Sequence, residues 1–202
     1  DNDNGQLGDG NLTDRNQTYK ISTGGGVVDF AHGLDHTLYV RDDGSLWVVG
    51  DNAYGQLGLG DLIDRNQSVQ LVDANVTAVA AGIHHSMFLK RDGSLWTMGR
   101  NDYGQLGNGN GLQQTSPTRV VVAGVGSIAA GGHHTCFVKS DGSLWTVGLN
   151  TNGQLGNGFT NNLIAPGPIE FSGVSVVAAG ESHSLYLKRD GSLWGMGHNA
   201  NG

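Results

Sequence analysis

The side chains able to do chemistry in this sequence are eight histidines, one cysteine and a scatter of carboxylates and hydroxyls. Two histidine pairs, His84-His85 and His133-His134, invite a metal or acid–base reading, because a neutral imidazole ligates divalent cations and titrates near neutrality. Their spacing argues otherwise. His36, His85, His134 and His183 lie 49 residues apart in succession. A group that returns once per repeat is expected to form the fold, its imidazole bonded to a neighbouring loop, because catalysis needs one site and not four equivalent ones. His32, His84, His133 and His198 fall outside that position and show no metal-ligand spacing along one element. A closed ring could still bring His84 and His133 together near its axis, which is where a histidine-based lyase or hydrolase site would have to lie.

The remaining reactive groups read as structure. Cys136 stands where the other copies carry Leu38, Met87 and Leu185, so it replaces a core hydrophobe and is not a nucleophile. Ser45, Ser94, Ser143 and Ser192 each follow a turn glycine, and no Gly-x-Ser-x-Gly elbow occurs. Gly104-Gln-Leu-Gly107-Asn-Gly109 resembles a phosphate cradle but has no Gly-Lys-Ser/Thr and no helix after it. Asp1-Asn-Asp-Asn-Gly lacks the glycine and the closing glutamate of a calcium loop. No metal, no cofactor and no enzymatic activity is expected.

What must position these groups is a repeat of about 49 residues. Gly-Gln-Leu-Gly starts at Gly5, Gly55, Gly104 and Gly153, and all four tryptophans, Trp47, Trp96, Trp145 and Trp194, sit in Asp-Gly-Ser-Leu-Trp-x-x-Gly. A small-residue stretch precedes each repeated histidine, as in Ala80-Ala81-Gly82 and Ala129-Ala130-Gly131, with Ala31-His32-Gly33 the departure. The second copy reads as four short strands, Ser68–Val72, Val76–Ala81, His85–Lys90 and Ser94–Met98, the last two joined by a tight Asp92-Gly93 hairpin. The expectation is an all-β propeller of four blades, four antiparallel strands each, in one domain over 1–202, with repeats at roughly 5–54, 55–103, 104–152 and 153–202. Alanine and glycine suit the strand nearest the axis, where room is least.

Composition removes several function classes. The net charge is −7 and no basic cluster occurs, which argues against a nucleic-acid partner. No apolar run approaches a membrane span, so no membrane partner is expected either. One cysteine leaves the compartment open.

The ordered motifs Ala-Ala-Gly-x-x-His-Ser, Asp-Gly-Ser-Leu-Trp-x-x-Gly and Asn-x-x-Gly-Gln-Leu-Gly together resemble the regulator of chromosome condensation repeat, and the resemblance covers the whole chain. It implies a propeller, usually of seven blades. Four copies depart from that number, which leaves a fragment of a larger ring, a closed four-bladed ring, or half a ring completed by a second chain. Open strand edges are an aggregation hazard, which favours completion by self-association as a homodimer. The resemblance also implies guanine-nucleotide exchange on a small GTPase, or inhibition of β-lactamase, as alternatives.

Function is expected where the copies differ. The loop before Gly-Gln-Leu-Gly carries Asp51 and Tyr54, then Arg100, Asp102 and Tyr103, then Leu149 and Asn152, then His198. Tyrosine and arginine amid asparagine and glycine suit a protein-binding face, since rigid aromatics give contact area at small entropic cost. The expected function is a non-catalytic protein-interaction scaffold that contacts an unidentified protein through Asp51, Tyr54, Arg100, Asp102, Tyr103 and His198.

Overall fold

The computed structural model describes residues 1–21 and 24–200. Four antiparallel sheets follow one another along the chain. The first holds β1 (Val27–His32), β2 (His36–Arg41), β3 (Leu46–Gly50) and β4 (Arg65–Val72). The second holds β5 (Val76–Ala81), β6 (His85–Lys90), β7 (Leu95–Gly99) and β8 (Gln114–Val121). The third holds β9 (Val125–Ala130), β10 (His134–Lys139), β11 (Leu144–Gly148) and β12 (Leu163–Glu170). The last, β13 (Val174–Ala179), β14 (His183–Lys188) and β15 (Leu193–Gly197), has three strands among the described residues.

Strands expected at Val76–Ala81 and His85–Lys90 stand as read, and those at Ser68–Val72 and Ser94–Met98 shift by one to three residues. The sheets are out of phase with repeats cut at Gly-Gln-Leu-Gly. Arg65–Val72 pairs with β3, so it is the outermost strand of the preceding sheet, and Gly-Gln-Leu-Gly lies in the long connection between third and fourth strands.

The chain-order pairing makes each sheet a blade whose first strand is innermost. β1, β5, β9 and β13 pack side by side. They border an axial cleft of about 510 Å³ lined by Ala81, Ala130 and Ala179 and by the glycines that follow them. Small side chains are thus where the sequence demands them. Each Asp-Gly hairpin has its glycine at positive φ, 76° at Gly93, a conformation that a Cβ disfavours. The aspartate and serine flanking it lock the turn: Ser94 N–H and Oγ both donate to Asp92 Oδ1, and Trp96 Nε1 donates to Ser94 Oγ.

The core lies between blades. Leu38, Val40, Leu46 and Val48 on the trailing side of the first sheet meet Val76, Val79, Phe88 and Met98 on the leading side of the second. Met87, Leu89 and Leu95 then meet Val125 and Phe137, and Cys136, Val138 and Leu144 meet Val174, Val177 and Tyr186. Cys136 is fully buried, and burial pushes its thiol up to about 12, which suits a packing residue.

Candidate protein-interaction face

Two sets of histidines do two different jobs. The repeated set forms latches between blades. His36 Nε2 lies 2.8 Å from Ser86 Oγ, His85 Nε2 3.2 Å from Thr135 Oγ1, and His134 Nε2 2.8 Å from Ser184 Oγ. The hydroxyls in turn donate to backbone carbonyls of the Gly-Gln-Leu-Gly loops, Thr135 to Gln105 O at 2.8 Å and Ser184 to Gln154 O at 2.9 Å. With the Thr135 and Ser184 hydroxyl protons committed to carbonyls, the imidazole Nε2–H of His85 and of His134 is the donor to the hydroxyl oxygen. Burial favours the neutral imidazole, holding His36 and His134 down to about 4 and His85 to about 3. The conserved geometry also accounts for the glycine of Ala-Ala-Gly. The ring of His134 lies where a Cβ on Gly131 would sit, and His85 does the same at Gly82.

The second set faces outward beside the variable loops. Tyr54, from the first blade's long connection, tilts against His84 with ring centroids 4.8 Å apart. Tyr103 takes the same position one blade on, 5.1 Å from His133. The Arg100 guanidinium bridges them, 5.0 Å from the Tyr54 ring and 5.8 Å from the Tyr103 ring, and its Nε donates to Asp102 Oδ2 at 2.7 Å. Asp51 anchors the strip from beneath, accepting from Gln56 Nε2 at 2.6 Å and lying 3.8 Å from His84 Nδ1. Burial is the main cause that lowers the pKa of His84, with nearby Asp51 opposing it; burial, then the Arg100 charge, lowers His133. Both are thereby biased toward the neutral form that stacks on tyrosine.

Five of the six residues singled out from the sequence are thus joined in one continuous strip: Asp51, Tyr54, Arg100, Asp102 and Tyr103. His198 is not part of it. It lies on the open side of the last sheet, in a cleft with His183, Leu185 and Met196. His84 and His133 do not meet in the axial cleft; each is seated on a tyrosine. Each directly precedes a latch histidine, in the short turn between the first and second strands of its blade, and meets a tyrosine from the long connection of the preceding blade.

A family model described as RCC1-like domain matches residues 1–202. The chain belongs to this RCC1-like family. Solved structures agree on the fold. Human WBSCR16 superposes with a TM-score of 0.76 at 26% identity, over 87% of this chain and 49% of that one. Yeast RCC1 (Prp20), in its complex with Kap60, gives 0.73 at 24% identity over 90% and 45%. Prp20p from Saccharomyces cerevisiae, solved in a study of its binding properties to Gsp1p and histones, gives 0.66 at 25% identity over 85% and 44%. The chain spans about half the length of these RCC1-like structures. No curated protein matches it.

Proposed function

We propose that this RCC1-like chain is a non-catalytic protein-interaction propeller that captures its partner through the Tyr54–Arg100–Tyr103 strip. The observation that carries the reading is the strip itself, two tyrosines and an arginine prepacked by His84, His133 and Asp102 across two blades. Prepacking removes much of the side-chain entropy that a partner would otherwise have to offset. Three of the four repeated histidines, His36, His85 and His134, are consumed by blade latches, and no nucleophile–base pair stands in the strip. The yeast relatives, studied with Kap60, Gsp1p and histones, support a protein as the class of partner. Self-association into a larger ring is the second part of the proposal.

The test is a triple variant, Tyr54→Ala, Arg100→Ala and Tyr103→Ala, compared with the intact chain for capture of a panel of small GTPases, basic nuclear proteins and β-lactamases. Native near-ultraviolet dichroism with capture weakened at least about 100-fold is expected, since anchors of this type contribute roughly 2 kcal/mol or more each. Undiminished capture overturns the assignment. Nucleotide release from a GTPase, or inhibition of a β-lactamase, would each select a narrower activity for the same face.

A further inference from the structure

The two edges of the blades differ in charge, and the excess falls on the edge that carries the aromatic strip. In each sheet the turn between first and second strands and the long connection between third and fourth leave by one edge, whereas the tight hairpin and the turn to the next sheet leave by the other. Segment 1–14 lies on the strip edge: Thr37 Oγ1 in β2 donates to Gln6 O at 3.0 Å, and Gln6 Nε2 donates to Asp35 Oδ1 at 3.4 Å. The loops of this edge hold ten carboxylates against Arg100 and the two arginines that directly follow them, Arg15 and Arg65. With segment 1–14 and Arg15 left out, six carboxylates still stand against two arginines. The opposite edge, taken with the strand ends that flank its hairpins, holds six carboxylates and six lysines or arginines. One face therefore carries the whole net charge of −7.

The charges of the opposite edge are engaged within their own blades. Asp92, Asp141 and Asp190 each accept from the N–H and Oγ of the serine two residues on, and Lys90, Lys139 and Lys188 lie 3.8 to 5.0 Å over tryptophan rings. On the strip edge it is the arginines that are engaged, Arg15 with Asp9, Arg65 with Asp61 at 2.7 Å and Arg100 with Asp102 at 2.7 Å. The other carboxylates of that edge face no lysine or arginine among the described residues, and they close round the strip. Beyond burial, the charges acting on His84 are Asp51, Arg100 and Asp35, and those acting on His133 are Arg100, His84, Glu181 and Asp102. Four carboxylates and one arginine thus surround the two tyrosine–histidine stacks. The strip also contains an example of what its rings take: the Arg100 guanidinium lies 5.0 Å from the Tyr54 ring and 5.8 Å from the Tyr103 ring while its Nε donates to Asp102. An aromatic face attracts a cation, and a carboxylate beside it adds a charge-assisted hydrogen bond.

We infer that the strip face takes a lysine- and arginine-rich segment of its protein partner, whose side chains lie on Tyr54 and Tyr103 and pair with the surrounding Asp35, Asp102 and Glu181. This rests on the proposed function and names the chemistry of the partner at that same face. Arg100 acts here as the clamp that holds the two rings in place, and the rings and carboxylates make the contact. An acidic segment would meet like charge on every side of the strip, which costs affinity and slows encounter, whereas a basic one is steered to this face and away from the neutral edge.

The test is fluorescence anisotropy with labelled peptides of equal length in which glycine alternates with arginine, with lysine or with glutamate. The arginine and lysine peptides are expected to bind the intact chain and the glutamate peptide is not, with affinity falling about tenfold between about 0.05 and 0.2 M salt. Asp102→Asn together with Glu181→Gln, both exposed beside the strip, is expected to weaken the arginine peptide about fivefold. Asp42→Asn together with Asp73→Asn, both exposed on the opposite edge, removes the same charge and should leave binding within about twofold of the intact chain. Native near-ultraviolet dichroism of each variant keeps the comparison to folded protein. Absence of binding by both basic peptides, equal binding by the glutamate peptide, or equal losses from the two pairs of substitutions overturns the inference. Each of those results leaves the triple alanine test standing, since that test asks whether the strip captures a protein and this one asks which charge the protein presents.

Discussion

Leu144 and Leu193 occupy the same place in the repeat, both opening a tryptophan strand, yet one is wholly buried and the other two-thirds exposed. The difference is not in the residues or in their strands but in whether another blade follows. A propeller blade buries little by itself. Its sheet has two apolar faces, and each becomes core only when the next copy is laid against it, so the interior of this chain is a property of pairs of blades. The interior joints and the ends of the arc are accordingly a built-in control for each other.

The largest effect should come from acid, which loads every interior joint at once. His36, His85 and His134 are held near 4, 3 and 4, below the value of 6.5 in an unfolded chain. Their folded pKa values are depressed, so their contribution to stability is full above about pH 6.5 and is lost progressively as pH falls toward 4 and 3. Thermal unfolding as a function of pH should show a midpoint flat above neutrality and falling steeply through pH 6 to 4. Replacing His85 with Gln should make that slope shallower.

A single core residue comes next. Leu144→Ala leaves a cavity between the third and last blades and should cost about 2–5 kcal/mol in urea unfolding, whereas Leu193→Ala in the single chain should cost about 0.5 kcal/mol or less. Equal costs would mean that the last blade is already covered in solution, and the comparison of the two is sharpest at low protein concentration.

Removing one latch is smaller. His134→Ala deletes the donor to Ser184 and opens a void beside Gly131, for about 1–3 kcal/mol, while His183→Ala has no following blade to release and should be close to neutral under the same conditions. If the two substitutions cost the same, the histidine stabilises its own blade through Gly131 and Gly180 rather than the joint.

Much of this molecule was legible without coordinates. Four Trp strands, four Asp-Gly hairpins and three Ala-Ala-Gly strands fix strand positions because each motif has a local reason: positive φ at a turn, a serine that holds aspartate and tryptophan together, small residues where strands crowd. The role of the repeated histidine as a fold-forming group followed from its period. Tyr54, Arg100 and Tyr103 could be named as candidate anchors because they vary against a constant background. Their being one strip could not, since it depends on the angle between blades that sets Arg100 between two tyrosines from separate connections.

The sequence by itself determined the blade: its strands, turns, latching groups and the alternation of apolar faces, all set by contacts between residues within about one repeat. Only the tertiary structure decided which blade the strand after Gly-Gln-Leu-Gly completes, which hydroxyl each histidine reaches, and which apolar faces remain uncovered. Those are relations between successive repeats. Identical motifs look alike along the chain, but an interior position and an end position differ only in what packs against them in space.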